Sequence, residues 1–153
     1  MGKPPDENGN LVKVAIDLED EVYSVESLWA EPAGDGLYRL RNVPFLAYGY
    51  SEQDVVKATD VEGYLSVNGV AERSGHATYR LFFPEATDNE KFRPLWEPFE
   101  KLGCTFEWAN SRLIGIDVPP HTDVYAVYAV LEQGEQAKHW TFEEGHCGHR
   151  LRP

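Results

Sequence analysis

Cysteine is nearly absent from this chain: Cys104 and Cys147 are the two it has. Two cysteines without framework spacing exclude a disulfide-stapled scaffold and suit free thiols in a reducing cytoplasm. A bridge between them stays open as an alternative. Long apolar runs are missing too; no uninterrupted stretch approaches the ~20 residues that cross a bilayer. The opening residues, MGKPPDENGN, lack the apolar segment of a secretory signal. The expectation is a cytoplasmic protein with no membrane partner. Basic charge is scarce, with 14 Lys and Arg against 26 Asp and Glu, a formal net charge of −12. Such a surface repels a phosphate backbone, so nucleic acid is not expected as a partner. The surplus carboxylates serve solubility, or they complement a basic protein partner. No phosphate-binding loop, dinucleotide fingerprint, EF-hand loop or G-x-S-x-G elbow occurs. Enzymatic function is therefore unsupported by motif, and no cofactor is implied.

What is present is enough for a core. The chain has 153 residues, 42% of them apolar, the size of one compact domain able to bury roughly 68–70% of its unfolded surface. Residues 1–11 are rich in Pro, Gly and Asn and read as a disordered tail. Val12, Val14, Ile16 and Leu18 then alternate with Lys13, Ala15 and Asp17, the period of a half-buried strand. Further strands are expected at Tyr23 to Ala30, Leu37 to Leu40, Asp54 to Thr59, Tyr64 to Glu72 and Ala77 to Phe83. Ser74-Gly75 reads as a hairpin turn joining the last two, and Asn42-Val43-Pro44-Phe45 as a bend returning Phe45 to the core.

The period changes after residue 86. Thr87 and Glu90 have capping-box spacing, and Phe92, Leu95, Trp96, Phe99 and Leu102 follow at helical spacing to Gly103. Pro94 and Pro98 predict a short lead-in, then a helix starting near Pro94 and distorted near Pro98. Strands at Thr105–Trp108 and Leu113–Val118 precede a second helix capped by Thr122. Its stripe is Val124, Val127, Tyr128 and Leu131, ending near Gly134 or fraying onward to Trp140. Thr141 to Pro153 shows no clear period. The fold class is α+β. Residues 12–76 form an antiparallel, small-barrel-like lobe. Residues 77–153 form a βαββα, split βαβ (ferredoxin-like) unit with two helices and an irregular tail.

Two segments could carry chemistry. The first runs from Glu72 to Arg80. Its bland reading is a hairpin with Arg73 and Arg80 as ion-pair partners; its sharper reading is a polar cleft in which His76 works as acid or base. The second is His139 to Arg150, with three histidines, a thiol and two carboxylates. His146, Cys147 and His149 could meet a metal, but the spacing matches no two-pair zinc pattern, so a metal-free surface tail is the default. Catalytic candidates are His76, Glu144 and His146; binding candidates are Arg73, His76, Tyr79, Arg80, Glu143, His146 and His149. Trp29 and Trp96 are expected in the core, and Cys104 as a buried, inert thiol.

The motifs Leu28-Trp29-Ala30-Glu31, Gly36-Leu37-Tyr38-Arg39-Leu40, Asn42-Val43-Pro44-Phe45, Tyr48-Gly49, Asp54-Val55-Val56, Arg73-Ser74-Gly75-His76 with Thr78-Tyr79-Arg80, and Phe142-Glu143-Glu144-Gly145-His146 span nearly the whole chain. In this order they resemble a bacterial family defined only as a domain of unknown function. The resemblance implies a stand-alone cytosolic domain and carries no activity, cofactor or catalytic residue. The functional expectation is a non-enzymatic acidic binding protein, such as an immunity-like inhibitor of a basic protein. The alternatives are a small-molecule sensor, or a His-dependent or metal-dependent enzyme using His76 and the His146/His149 segment. Oligomeric state is not readable from the residues.

Overall fold

The structure, a computed structural model, describes residues 10–151; the expected disordered tail lies, up to residue 9, outside them. The fold is α+β, with nine strands and two helices among the described residues. Five strands close a barrel: β1 (Val12–Asp17), β2 (Val25–Gly34), β3 (Leu37–Leu40), β4 (Val55–Val61) and β5 (Tyr64–Glu72). Neighbours run antiparallel except at the closure, where β5 meets β1 in parallel at Val14–Leu65 and Ala15–Ser66. Period-2 alternation turns Val14, Ile16, Leu28, Ala30, Leu40, Val56, Ala58 and Val67 into the barrel interior. Two bulges in the β4–β5 ladder give the local bend that closure requires. Glu62 and Gly63 between these strands both have positive φ, 52° and 94°, the geometry of a tight two-residue hairpin.

The second layer is a four-stranded antiparallel sheet in the order β7-β8-β6-β9. It comprises β6 (Ala77–Phe82), β7 (Thr105–Asn110), β8 (Leu113–Val118) and β9 (Thr141–Cys147). Helices α1 (Asn89–Lys101) and α2 (Val124–Gln136) complete the chain order β-α-β-β-α-β. Both helices pack on one face of the sheet around Tyr79, Leu81, Phe92, Phe99, Ile114, Ile116, Val127, Leu131 and Trp140. Gly134 is in α2 because an added Cβ would sit 1.9 Å from the Trp140 ring.

Several expectations need correction. Ser74-Gly75 is not a hairpin turn: β5 pairs with β4 and β1, and β6 with β8 and β9. Both edges of each strand are already taken, so residues 73–76 instead carry the chain from barrel to sheet. The segment after residue 140 is not an irregular tail but β9, whose alternation is hidden by a bulge. Glu144 lies opposite Tyr79 and His146 opposite Thr78, leaving Gly145 as the extra residue. The first helix is one run, not a lead-in and a later helix, and contains both prolines. Each interior proline costs about 3 kcal/mol. Pro94 and Pro98 face solvent, while Phe92, Trp96 and Phe99 bury their rings, each worth about 1.5–3 kcal/mol. The N-caps are Asp88 and Asp123, each one residue beyond the expected Thr87 and Thr122. Thr122 instead donates from Oγ1 to the Leu102 carbonyl at 2.9 Å. α2 ends at Gln136, between the two stops expected. Strand β2 begins at Val25, leaving Tyr23 exposed, and Trp29 is half-buried on the barrel wall with Lys13 Nζ 5.1 Å from its ring centroid. Trp96 and Cys104 are buried as expected.

Candidate functional site

The link between β3 and β4, residues 41–54, lies on the sheet face opposite the helices. Side chains there alternate with the core: Thr78, Arg80, Glu107, Asp117 and Glu143 point toward the link, and Gly115 shares their face. Gly115 lets it approach, since a Cβ would stand 2.7 Å from Val43. The join between barrel and sheet is polar, and four carboxylates organise it. Glu26, on the barrel's inward face, accepts the amides of Phe45, Leu46 and Ala47 at 2.6, 3.1 and 2.8 Å. Glu107 accepts the Val43 amide at 2.6 Å and Asn42 Nδ2 at 2.9 Å. Asp54, buried, accepts the amides of Ser51 and Ser74 and the Arg73 guanidinium. Asp117 holds His76.

Arg80 is the largest fully buried side chain of this join. Its Nε donates to Glu143 at 2.9 Å, and Nη1 donates to the carbonyls of Pro44 and Ala47 at 3.2 and 2.9 Å. The Tyr48 ring covers it, 4.7 Å from Cζ to the centroid, and the Tyr48 hydroxyl donates to the second Glu143 oxygen. That bond holds the Tyr48 phenol above its ordinary range. Gly145 is required beneath the guanidinium, because a Cβ would lie 2.8 Å from Nη1.

The candidate residues do not converge on one point. The bulge at Gly145 sends Glu143 and His146 to the barrel side, while Glu144 and Cys147 face the helices. Arg73, Arg80, Glu143 and His146 therefore share the barrel side, with Arg73 Nη1 also donating to the Gly49 carbonyl at 2.6 Å. Burial and the Arg73 charge push His146 below the ordinary imidazole range. Tyr79 points the other way and donates to Glu144 at 3.0 Å. The trio His76, Glu144 and His146 is thus divided by the sheet. Neighbours His146 and Cys147 face opposite sides, and His149 lies against the Val118 carbonyl at 3.3 Å. No group of three His, Cys, Asp or Glu side chains among the described residues is arranged to hold a metal ion. Cys104 and Cys147 are free thiols; burial pushes Cys104 up to about 12 and raises Cys147.

His76 does have a partner that the sequence did not suggest. Its Nδ1 lies 2.9 Å from both oxygens of Asp117. This fixes the imidazole, as an acid or base needs. Ser74 is committed to the barrel-to-sheet connection, donating from Oγ to the Glu52 carbonyl at 2.8 Å and accepting the His76 amide at 3.2 Å. Beside the pair, burial pushes Glu52 up to about 8, helped by the charges of Asp117 and Glu107 and opposed by Arg41. Burial also raises Asp117, against the pull of His76. Of the two carboxyls, Glu52 is the one whose neutral form this burial favours more. A carboxyl that holds its proton more tightly when folded stabilises fully below its unfolded value of about 4.3, and loses that contribution as pH rises through the folded value. Stability should fall between roughly pH 5 and 8. In urea melts across this range, Glu52→Gln should remove most of the slope and gain at least about 1 kcal/mol at pH 9, the worth of roughly one pKa unit.

The join ends in an open cleft of about 380 Å³ between the β1–β2 connection and the link. Its walls are Ile16, Asp17, Leu18, Glu19 and Asp20 on one side, and Leu46, Ala47, Tyr48 and Tyr50 on the other. Glu26 and Arg80 hold the second wall through its amides and carbonyls. The first is turned by Asp20, whose Oδ1 accepts the amides of Val22 and Tyr23 at 2.7 and 2.9 Å. Those bonds keep the Asp20 carboxyl below its usual range. Val22 and Tyr23, whose amides Asp20 accepts, are 79% and 55% exposed, and Tyr48 in the second wall is 63% exposed. Sequence reasoning missed this cleft, and missed Glu26 and Asp117. The available signal was positional: Glu26 shares the face of Leu28 and Ala30, and Asp117 interrupts the apolar run Leu113–Val118.

Barrel, sheet and polar join together define a small α+β protein whose two layers are clasped by buried charge. Among the described residues no helix is long and apolar enough to cross a membrane. The family model described as Domain of unknown function (DUF4265) matches residues 26–142, and the chain belongs to that family. The match starts at the Glu26 carboxylate that holds the link. No curated protein sequence matches. A solved structure of a hypothetical protein from Neisseria gonorrhoeae is similar over 92% of this chain and 97% of that one, with a TM-score of 0.79 at 16% identity. At that identity the likeness concerns the fold alone.

Proposed function

We propose that the protein is a non-enzymatic, acidic binding protein that presents the cleft beside Tyr48 to a basic protein partner in the cytoplasm. One observation carries this reading: Asp17, Glu19 and Asp20 line a cleft with exposed Tyr48 in its other wall and no basic side chain among the described residues that line it, and exposed Val22 and Tyr23 follow Asp20 in the chain. Carboxylates steer a cationic partner, and the exposed apolar and aromatic groups supply contact area once it arrives. An immunity-like inhibitor of a basic enzyme is the most concrete form of this reading. Free thiols fit a reducing compartment. The chain order β-α-β-β-α-β with strand order β7-β8-β6-β9 supports reading the C-terminal layer as a ferredoxin-like unit.

The test is capture of partners by the full chain, compared with Asp17→Asn/Glu19→Gln, which spares the turn-forming Asp20. The expected result is one stoichiometric basic protein, lost with the variant, whose association rate falls steeply with salt because the Debye length is about 10 Å at 0.1 M. Equal capture by the variant, or capture of no basic protein, overturns the reading.

The His76–Asp117 pair favours one second reading, acid–base chemistry at a carboxylate-oriented imidazole. It predicts that His76→Gln abolishes a turnover found in a substrate screen while leaving the thermal midpoint close to the parent's.

A further inference from the structure

On the far side of the sheet from the polar join, α2 and β9 leave a groove of about 400 Å³. That is within the size range of small-molecule sites, roughly 300–1,000 Å³. The inner stripe of α2, Val127 and Leu131, is used by the core, and Val124 lies both in the core and along the groove. Its outer stripe, Tyr125, Tyr128 and Glu132 at i, i+3 and i+7, lines the groove instead. Tyr125 and Tyr128 remain 40% and 43% exposed. Tyr79 rises from the sheet below and meets Tyr128 edge to face, with ring centroids 6.4 Å apart at 67°. Phe142 braces Tyr128 from the other side at 5.5 Å and 83°. Tyr79 and Tyr128, in fixed relation, and Tyr125 therefore border one space.

Among the described residues the charge at the groove has one sign: Glu132 from the helix and Glu144 from β9 both line it, and no described Lys, Arg or His does. Glu144 is oriented by the Tyr79 hydroxyl, which donates to its Oε1 and leaves Oε2 for another donor. Aromatic faces attract a cation through their quadrupole, most strongly where the site is partly desolvated. An anion would meet two carboxylates, and a neutral molecule would gain from burial alone. We propose that this groove is a binding site for a small organic cation with an apolar body, an aryl or alkyl ammonium, held against the exposed rings of Tyr125 and Tyr128 above the buried Tyr79, with its charge toward Glu132 and Glu144. The site lies on the opposite sheet face from the acidic cleft and does not rest on that reading.

The experiment titrates the full-length protein with three probes of one shape and graded charge: benzyltrimethylammonium, benzyl alcohol and benzoate. Binding is followed through amide chemical shifts. The cation should bind about tenfold more tightly than the alcohol, the gain expected of a partly desolvated cation–π site. Benzoate should not bind. Perturbed amides should centre on Tyr125, Tyr128, Glu144 and Cys147. Glu132→Gln/Glu144→Gln, which keeps side-chain shape and an acceptor for Tyr79, should weaken binding of the cation severalfold and leave that of the alcohol unchanged. Asp17→Asn/Glu19→Gln should leave it unchanged, which separates this site from the cleft. Equal affinity for cation and alcohol, undiminished binding by the Glu132/Glu144 variant, or shifts confined to the cleft would each overturn the proposal.

Discussion

Arg80→Ala is expected to lower folding stability by about 3 kcal/mol, measured as a fall in the urea midpoint with little change in slope. The substitution empties a buried site in which one guanidinium serves Glu143, two link carbonyls and the face of Tyr48. Breaking a buried pair by removing one partner typically costs about 3–5 kcal/mol, because the other charge is stranded. The lower end applies here, since the Glu143 side chain is 32% exposed and can take up water. Arg80→Lys should recover little: an ammonium is a point charge and cannot address Glu143 and both carbonyls in the plane a guanidinium provides. Adding Glu143→Gln to Arg80→Met should return part of the loss, since no carboxylate is then left facing a vacated cation. A loss below about 1 kcal/mol for Arg80→Ala, the range of exposed ion pairs, would mean that the join is held by apolar packing instead.

Glu26→Ala is expected to be nearly as damaging and to act more locally. Three amides of the link would lose their acceptor, and each buried donor left without one costs about 1–3 kcal/mol. Relaxation of the link toward water should reduce the sum, so a loss of roughly 3 kcal/mol is expected. Glu26→Gln should fall between parent and Ala, because an amide offers one acceptor oxygen where the carboxylate offers two. Hydrogen exchange separates this case from Arg80: the amides of Phe45, Leu46 and Ala47 should lose protection far more than those of β6 or β8. Uniform loss of protection throughout the protein would show that Glu26 supports the whole barrel rather than one wall of the cleft.

Much of the secondary structure was legible in the residues, for reasons particular to each element. Leu37–Leu40, Tyr64–Glu72 and Leu113–Val118 begin and end where the pattern placed them, because turn residues bound short apolar segments. The α1 stripe was visible, but its start was misplaced: proline cost is a local property, and the burial that outweighs it is tertiary. β9 was missed because one extra residue, Gly145, breaks the alternation by which a strand is recognised. The Ser74-Gly75 turn failed differently: turn residues report a change of direction and not which strands then pair. The candidate site was legible only in part. Arg73, His76, Arg80, Glu143 and His146 were picked out and do lie on the barrel side of the sheet. Asp54, which accepts Arg73, Asp117, which holds His76, and Glu26, which holds the link, are distant in sequence from these residues and sit in ordinary strand or loop text. The opposite destinations of Glu143 and Glu144 follow from strand alternation, which became available once β9 was recognised.

The position of the Arg80 partner along the chain also bears on the order of events at the ribosome. The guanidinium and its carboxylate are separated by 63 residues, while its carbonyl partners Pro44 and Ala47 precede it. A nascent chain reaching residue 80 has already made every barrel strand and both carbonyls, but no counter-ion. The barrel can form early, as amino-terminal units do during synthesis. Its clasp to the sheet stays electrically incomplete until residue 143 is made and β9 adds beside β6. For that interval the growing polypeptide carries a barrel whose link lacks the Glu143 half of its clasp and an uncovered edge on β6, the state in which a chaperone or a stray strand has its best access.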